Sequence, residues 1–387
     1  MMQIQNTIHQ KIQVTLEFPV HFTQNLFAEN NKTFEQCVSF KEPKKQHKVL
    51  FFIDENVSST HPDLIDSIKT YCQKCGSINL VSNPIVVPGG EVVKNNTSIV
   101  ESIHKYTDKF KICRHSFAVV IGGGAVLDMV GFACATPHRG VRLIRIPTTV
   151  LSQNDSAMGV KNAINAFNKK NFLGTFCAPY AVINDREFLK TLCFRDWISG
   201  ISEAIKVALI KDKPFFEFIQ KHTDLLVNRD IIAMEKLIFR CAEIHLQHIR
   251  CSGDAFELGY SRPLDFGHWA AHKLESLSAY NIRHGEAVAV GIAIDSYYAE
   301  KKGFINKVQL QDILQVLHSL RFPLYYKEMQ DPDFINGLEE FREHLGGILC
   351  ITLPVGIGKK IEVNEIEHDM IFEAIDYLRE NYNGNGQ

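Results

Sequence analysis

The stretch SFAVVIGGGAVLD, Ser116 to Asp128, decides the fold. Ser116 to Ile121 form a short apolar run, which predicts a strand. Gly122, Gly123 and Gly124 stop it, and Ala125 to Thr136 continue as a helix. Glycines let a backbone approach a pyrophosphate, and the helix that follows presents free N–H groups and a positive dipole end. The stretch does not fit GxGxxG, because Leu127 holds the last glycine position, and it lacks the Gly-Lys-Ser/Thr of a P-loop. A tight structural turn is the competing reading.

The same alternation extends to both sides. Lys48 to Ile53 reads as a strand and Thr60 to Gln73 as a helix with Pro62 in its first turn. Ser77 to Val87 reads as a strand, Asn96 to Tyr106 as a helix and Arg142 to Ile146 as a strand closed by Pro147. This order predicts an α/β fold with a doubly wound parallel sheet. From about Arg195 the texture changes to helical periods: Ile198 to Lys211, Pro214 to Leu226, Met234 to Ile249, Gly267 to Leu277, Gly285 to Lys302 and Val308 to Leu320. A short strand returns at Leu349 to Leu353, and Asn381 to Gln387 read as a frayed tail. The expected division is an α/β domain over 1–192 and an all-helical domain over 193–387.

The chain has 387 residues, 45% hydrophobic and 22% charged, with a net charge of −2. No global field favours nucleic acid, and no apolar run reaches the ~18 residues of a membrane span. Met1 to Gln13 carry no secretory signal, so the ten cysteines read as reduced thiols of a cytoplasmic enzyme. Cys72 and Cys75 form a CxxC without a second pair, which reads as ordinary thiols.

His268 and His272 are four apart, so on a helix they share one face. His284 opens the next helical period, and Glu203 lies on an earlier one. Two imidazoles and a carboxylate with one open position suit a catalytic divalent metal. Spacing alone does not say which two histidines bind. After Pro147 comes a small, polar stretch at the end of a sheet strand, where ligands bind in such folds. Lys161, Lys170, Asn171 and Lys206 form either an anion pocket or a solvated loop.

The segments IGGGAVLDMVGFACAT, RGVRLIRIPTTVLSQNDSAMGVK, GISEAIK, LDFGHWAAH and RHGEAVAVGI resemble the dehydroquinate synthase superfamily of sugar-phosphate cyclases, from about Asp54 to Gly358. The resemblance implies a Rossmann-like N-terminal domain, a helical metal-binding domain, a cleft between them and a homodimer. It implies NAD, returned unchanged, and zinc or cobalt. Glu203, His268 and His284 are then the expected metal ligands. Asp54, Asn56, Glu91, Lys94, Gly123, Gly124, Asp128, Thr148, Thr149 and Lys170 would line the NAD. Asp155, Lys161, Asn171, Lys206 and His272 would meet a small sugar phosphate. Arg139 matches an arginine that reaches a phosphate from the neighbouring subunit.

The departures bear on the substrate. Dehydroquinate synthases carry a lysine and an arginine that hold the substrate carboxylate; those positions here are Gln247 and Ser261, with Arg262 one residue off. An asparagine of the family is Asp265 here, which suits hydroxyls better than a carboxylate. The segment Phe341 to Gly347 looks more like sedoheptulose 7-phosphate cyclases, with Arg342 or His344 replacing a phosphate-binding lysine. His272 is retained as in dehydroquinate synthases. The expected activity is a phosphate-eliminating carbon–oxygen lyase that closes a heptulose 7-phosphate into a carbocycle. Oxidation is transient; phosphate elimination, reduction and an intramolecular aldol follow. The alternatives are dehydroquinate synthase proper, acting on 3-deoxy-arabino-heptulosonate 7-phosphate, and a metal-dependent polyol or alcohol dehydrogenase, which shares the architecture.

Overall fold

A computed structural model of the chain describes residues 7–167, 169–251, 256, 259 and 261–383. The first six residues and the end of the expected frayed tail, 384–387, lie outside the described residues.

Seven parallel strands form the sheet: β1 (Val20–Thr23), β2 (His47–Asp54), β3 (Ile78–Leu80), β4 (Ile85–Val87), β5 (Phe117–Gly122), β6 (Arg142–Pro147) and, later in the chain, a strand over Ala181–Asp185. Between β6 and that last strand, β7 (Lys161–Ala166) and β8 (Lys169–Phe176) form a separate antiparallel hairpin, so the last sheet strand is β9. The order is β1-β9-β6-β5-β2-β3, with β4 pairing the second half of β2. The chain leaves β2 toward β3 and β4 on one side and toward β5 on the other. The carboxyl ends of β2 and β5 therefore flank the switch point, where doubly wound sheets open a ligand crevice. The triple glycine sits there.

The strands alternate their side chains between two apolar layers. Val49, Phe51 and Ile53 pack with helices α1 (Thr33–Ser39) and α3 (Leu64–Lys74), while Leu50 and Phe52 pack with α4 (Thr97–Lys109) and α5 (Gly124–Ala135). Burial on both faces explains why β2 and β5 read as continuous apolar runs. A short helix α2 (Glu55–Thr60) lies directly after β2, capped by Asp54, whose carboxylate accepts from Asn56 N at 2.9 Å.

The second half packs around one large core that includes Trp197, Ile205, Leu237, Trp269 and Val288. Its helices are α6 (Phe194–Ser199), α7 (Ile201–Lys211), α8 (Lys213–Lys221), α9 (Thr223–Val227), α10 (Ile231–Cys251), α11 (His268–Leu277), α12 (His284–Lys301), α13 (Lys307–Ser319), α14 (Gly337–His344) and α15 (His368–Tyr382). None of the described helices is long and apolar enough to cross a membrane.

Several boundaries correct the sequence reading. Ser77 to Val87 is two short strands, because β3 and β4 pair with successive parts of β2. Pro62 stands between α2 and α3 rather than inside a first turn. Pro214 to Leu226 breaks at His222 into α8 and α9. The expected all-helical half also holds the antiparallel hairpin β10 (Ile351–Pro354) and β11 (Lys360–Val363). Asn381, expected to fray, lies in α15.

Candidate active site and metal centre

The segment after β6 is a π-helix over Ser152–Ser156, a form of turn that recurs at functional sites. Side chains nail it to the surrounding backbone. Gln153 Nε2 donates to Pro147 O and Asp185 O, each at 3.0 Å, and Asn154 Nδ2 donates to Gly200 O at 2.7 Å. Arg145, fully buried on β6, donates to the carbonyls of Ala157 (3.0 Å), Gly159 (2.7 Å) and Lys161 (3.2 Å), and to Asn162 Oδ1 (2.6 Å). One buried guanidinium thus shapes the turn that carries Asp155 and Lys161.

Asp155 faces the start of the helical half. Its carboxylate lies 3.4 Å from Lys206 Nζ and 3.5 Å from His245 Nδ1. Lys206 also pairs with Glu203, one turn earlier on α7. Burial opposes the charged ammonium, but Glu203 and Asp155 outweigh it and hold Lys206 above its usual range. Burial likewise opposes the Glu203 anion, and Lys206 and His284 overcome that and hold it below the usual carboxylate range.

Glu203, His268 and His284 converge. Their ligand atoms lie within 4.8 Å of one another. Glu203 Oε1 is 3.4 Å from His284 Nε2 and 3.9 Å from His268 Nε2. Each imidazole is oriented through its other nitrogen: His268 Nδ1 contacts Phe266 O at 3.1 Å, and His284 Nδ1 contacts the Glu275 carboxylate at 3.2 Å. With the protons on Nδ1, both Nε2 lone pairs face Glu203. Both Glu203 oxygens are buried without a well-directed hydrogen bond, although the Lys206 ammonium stands beside one of them. Two oriented imidazoles and a buried, ionised carboxylate with one oxygen turned to them fit a divalent ion with an open position. A second group, His272, Glu275 and His284, has similar spacing. There Lys170 Nζ already occupies Glu275 Oε1 at 2.8 Å, so that group serves as the hydrogen-bonding shell around His284.

Backbone packing sets this geometry. A Cβ on Gly285 would fall 2.0 Å from Ser199 O, so only glycine lets α12 begin against the α6–α7 junction and bring His284 to Glu203. Arg195 clamps the same end of α12, with Nη2 2.6 Å from Glu286 Oε2. Before α11, Gly267 takes a left-handed φ of 78° and donates from its N to Asp295 at 3.0 Å. Trp269 Nε1 donates to the same carboxylate at 2.9 Å, so Asp295 brackets His268.

The expected NAD residues line the carboxyl edge of the sheet. Gly123 and Gly124 begin α5, Thr148 N bonds Gly122 O at 3.0 Å, and Thr149 Oγ1 lies 2.8 Å from Ser152 Oγ. Lys94 is buried and pairs with Asp128 at 2.9 Å. Glu91 keeps a buried Oε1 without a partner, an acceptor that fits a ribose or amide donor. Asp54 and Asn56 bond each other at the α2 cap, with the Asp54 carboxylate beside the Gly123 backbone N–H. Asn171, expected beside the substrate, bonds Lys94 on the cofactor side.

His272 follows His268 on α11, their rings 5.5 Å apart. A basic trio stands nearby: Arg262 Nη1 lies 2.8 Å from His344 Nε2, and burial, Arg262 and Lys161 together hold the His344 imidazole below its usual range. Of the two candidates Arg342 and His344, it is His344 that meets Arg262; Arg342 pairs with Glu339. Asp265 lies 4.0 Å from Arg262. Ser261 donates to Glu362 at 2.6 Å, and Gln247 is exposed on α10. Arg139 is not brought to the cluster. It follows α5 and precedes β6, at the opposite edge of the sheet from Pro147, roughly 17 Å of strand away. His245, Glu275, Arg145 and Asp295 escaped sequence reasoning. Each is one polar residue in an otherwise apolar or ordinary helical or strand pattern, and only the fold supplies its partners.

Residues 84–199 match the model for the N-terminal part of 3-dehydroquinate synthase, and residues 200–341 match that for its C-terminal part. Among solved structures, ValA, the 2-epi-5-epi-valiolone synthase from Streptomyces hygroscopicus subsp. jinggangensis 5008 with NAD+ and Zn2+ bound, is similar at 25% identity and TM-score 0.86, over 96% of this chain and 99% of that one. A 2-deoxy-scyllo-inosose synthase complexed with carbaglucose-6-phosphate, NAD+ and Co2+ shares the fold at 22% identity and TM-score 0.73, over 92% and 96%. The NADH-dependent butanol dehydrogenase A from Thermotoga maritima shares it at 15% and 0.64, over 95% and 98%.

Proposed function

Because the chain belongs to the 3-dehydroquinate synthase family, we propose that it is an NAD- and divalent-metal-dependent sugar-phosphate cyclase acting on a heptulose 7-phosphate without a carboxylate. The observation that carries the reading is the convergence of Glu203, His268 and His284 beside Lys206, Asp155 and a basic trio. A divalent ion would supply Lewis acidity there and NAD a reversible hydride acceptor, the chemistry that a sequence of oxidation, phosphate elimination, reduction and aldol closure requires.

The chain's own residues do the rest. Lys206 and Asp155, fixed as an ion pair, orient ring hydroxyls as donor and acceptor. Lys161, His272, Arg262 and His344 offer N–H groups to the leaving phosphate, where negative charge grows during elimination. Lys94, Asp128, Glu91, Thr148, Thr149, Gly123 and Gly124 hold the dinucleotide along the sheet edge, and Lys170 flanks it. Arg139 joins the groups on the leaving phosphate from a second copy in a homodimer, since its own cleft is out of reach.

The acids argue against a carboxylated sugar. Glu362 engages Ser261 and Lys360, and Asp265 stands beside Arg262, so the chain's own carboxylates already occupy donors and cations that an incoming carboxylate would need. Arg262, one position off the family's carboxylate-binding arginine, is drawn to His344 instead. The test is phosphate release from two substrates. Sedoheptulose 7-phosphate should release phosphate, and 3-deoxy-arabino-heptulosonate 7-phosphate should not. Turnover of only the carboxylated sugar makes the protein a dehydroquinate synthase proper and removes the argument from Gln247 and Ser261.

A further inference from the structure

Glu275, near the end of α11, is 4% exposed and has two partners, one nine residues on at the start of the next helix and one 105 residues back in the chain. One carboxylate oxygen meets His284 Nδ1 at 3.2 Å, and the other meets Lys170 Nζ at 2.8 Å. His284 opens α12, whereas Lys170 lies on β8 of a hairpin that pairs with no strand of the main sheet. The hairpin is exposed along β8, and Asn171 and Asn165 tie it to Lys94 and Asn95 of the N-terminal half. The Lys170–Glu275 pair, with a ring contact of Phe176 on Phe256 at 4.7 Å, fastens it to the helical half. A charge-assisted contact of this kind depends on both groups holding one geometry.

We propose that Glu275 is a positioning residue that couples the β7–β8 hairpin to the metal centre. With a metal bound, His284 would be fixed in one ring orientation with Nδ1 aimed at Glu275, and the Glu275 carboxylate, so held, would fix Lys170 and the hairpin. The same link runs backward, so a docked hairpin orients the ligand. This rests on the assignment of Glu203, His268 and His284 as the metal site.

The test uses the full-length protein freed of metal by chelation, with Zn2+ or Co2+ alone as the probe. Metal affinity is measured by competition with a chromophoric chelator, and amide exchange is followed over 169–176. In the wild type, saturating metal should slow hairpin exchange. Glu275→Gln should bind metal about 10- to 100-fold more weakly and, at saturation, show no slowing. Lys170→Met should bind metal and also lose the slowing, and it carries the test if Glu275→Gln does not fold. A metal-dependent slowing that survives in either variant overturns the coupling while leaving the metal site standing. A wild type that binds no metal overturns the site and the coupling together. A merely structural role for Glu275 would lower thermal stability without abolishing the response of the hairpin to metal.

Discussion

At the scale of single residues, the site is a balance of buried charges. Lys206 stands between Glu203 and Asp155. Lys206→Met leaves those carboxylates without their cation, and breaking a buried pair in this way costs about 3–5 kcal/mol. Denaturant unfolding of the metal-free variant should show that loss, and added Zn2+ should restore more stability to the variant than to the wild type, because the ion replaces the missing positive charge. Equal stability of the two metal-free proteins would contradict the arrangement. Asp295 gives a pH prediction. Burial raises its carboxyl from 3.8 to about 7, although Trp269 and Gly267 donate to it. Between those values the folded protein keeps a proton that the unfolded chain has lost. Stability contributed by this group therefore falls as pH rises from 4 to 7, by up to about 4 kcal/mol, and is flat on either side. Asp295→Asn should remove that slope from urea-unfolding measurements across the window.

At the scale of elements, helices meet where glycine permits. Gly285→Ala would place a methyl 2.0 Å from Ser199 O. Moving α12 outward to relieve it should cost about 1–3 kcal/mol and draw His284 from Glu203. The melting temperature should fall and metal affinity should drop by more than tenfold; a variant with unchanged metal affinity would show that this contact does not set the ligand geometry. The same packing explains what was legible in the sequence. β2 and β5 announced themselves because both faces are buried, and Gly122 to Gly124 marked the switch point. The β7–β8 hairpin stayed hidden because KNAINA and KKNFLGTF are polar and β8 faces solvent almost throughout, so no alternation forms. β1 and β9 are four and five residues long and paired at the sheet edge, too short to show a period. His268, His284 and Glu203 could be singled out by residue type and family resemblance. Glu275 and His245 could not, since one acid or imidazole on a helix carries no signal until its partners are placed.

At the scale of the whole molecule, the sheet supplies the proposed cofactor edge, the helices supply the proposed metal ligands, and Arg139 lies away from both. Arg139 sits at the far end of its own sheet, and in the proposed homodimer it is the second copy that supplies it to the cleft. Arg139→Ala and Glu203→Ala should each be inactive alone. Refolded as a mixture, hybrid dimers would hold one intact cleft each and recover roughly a quarter of wild-type turnover. No recovery in a mixture shown to contain hybrids would place Arg139 outside the reaction. The central claim, hydride borrowed and returned around a phosphate elimination, is tested most directly by stoichiometry. Purified protein with Zn2+ or Co2+, catalytic NAD+ and sedoheptulose 7-phosphate should release one phosphate per sugar consumed, with no net absorbance at the NADH band. Accumulation of NADH without phosphate release would contradict it and make the protein a polyol dehydrogenase.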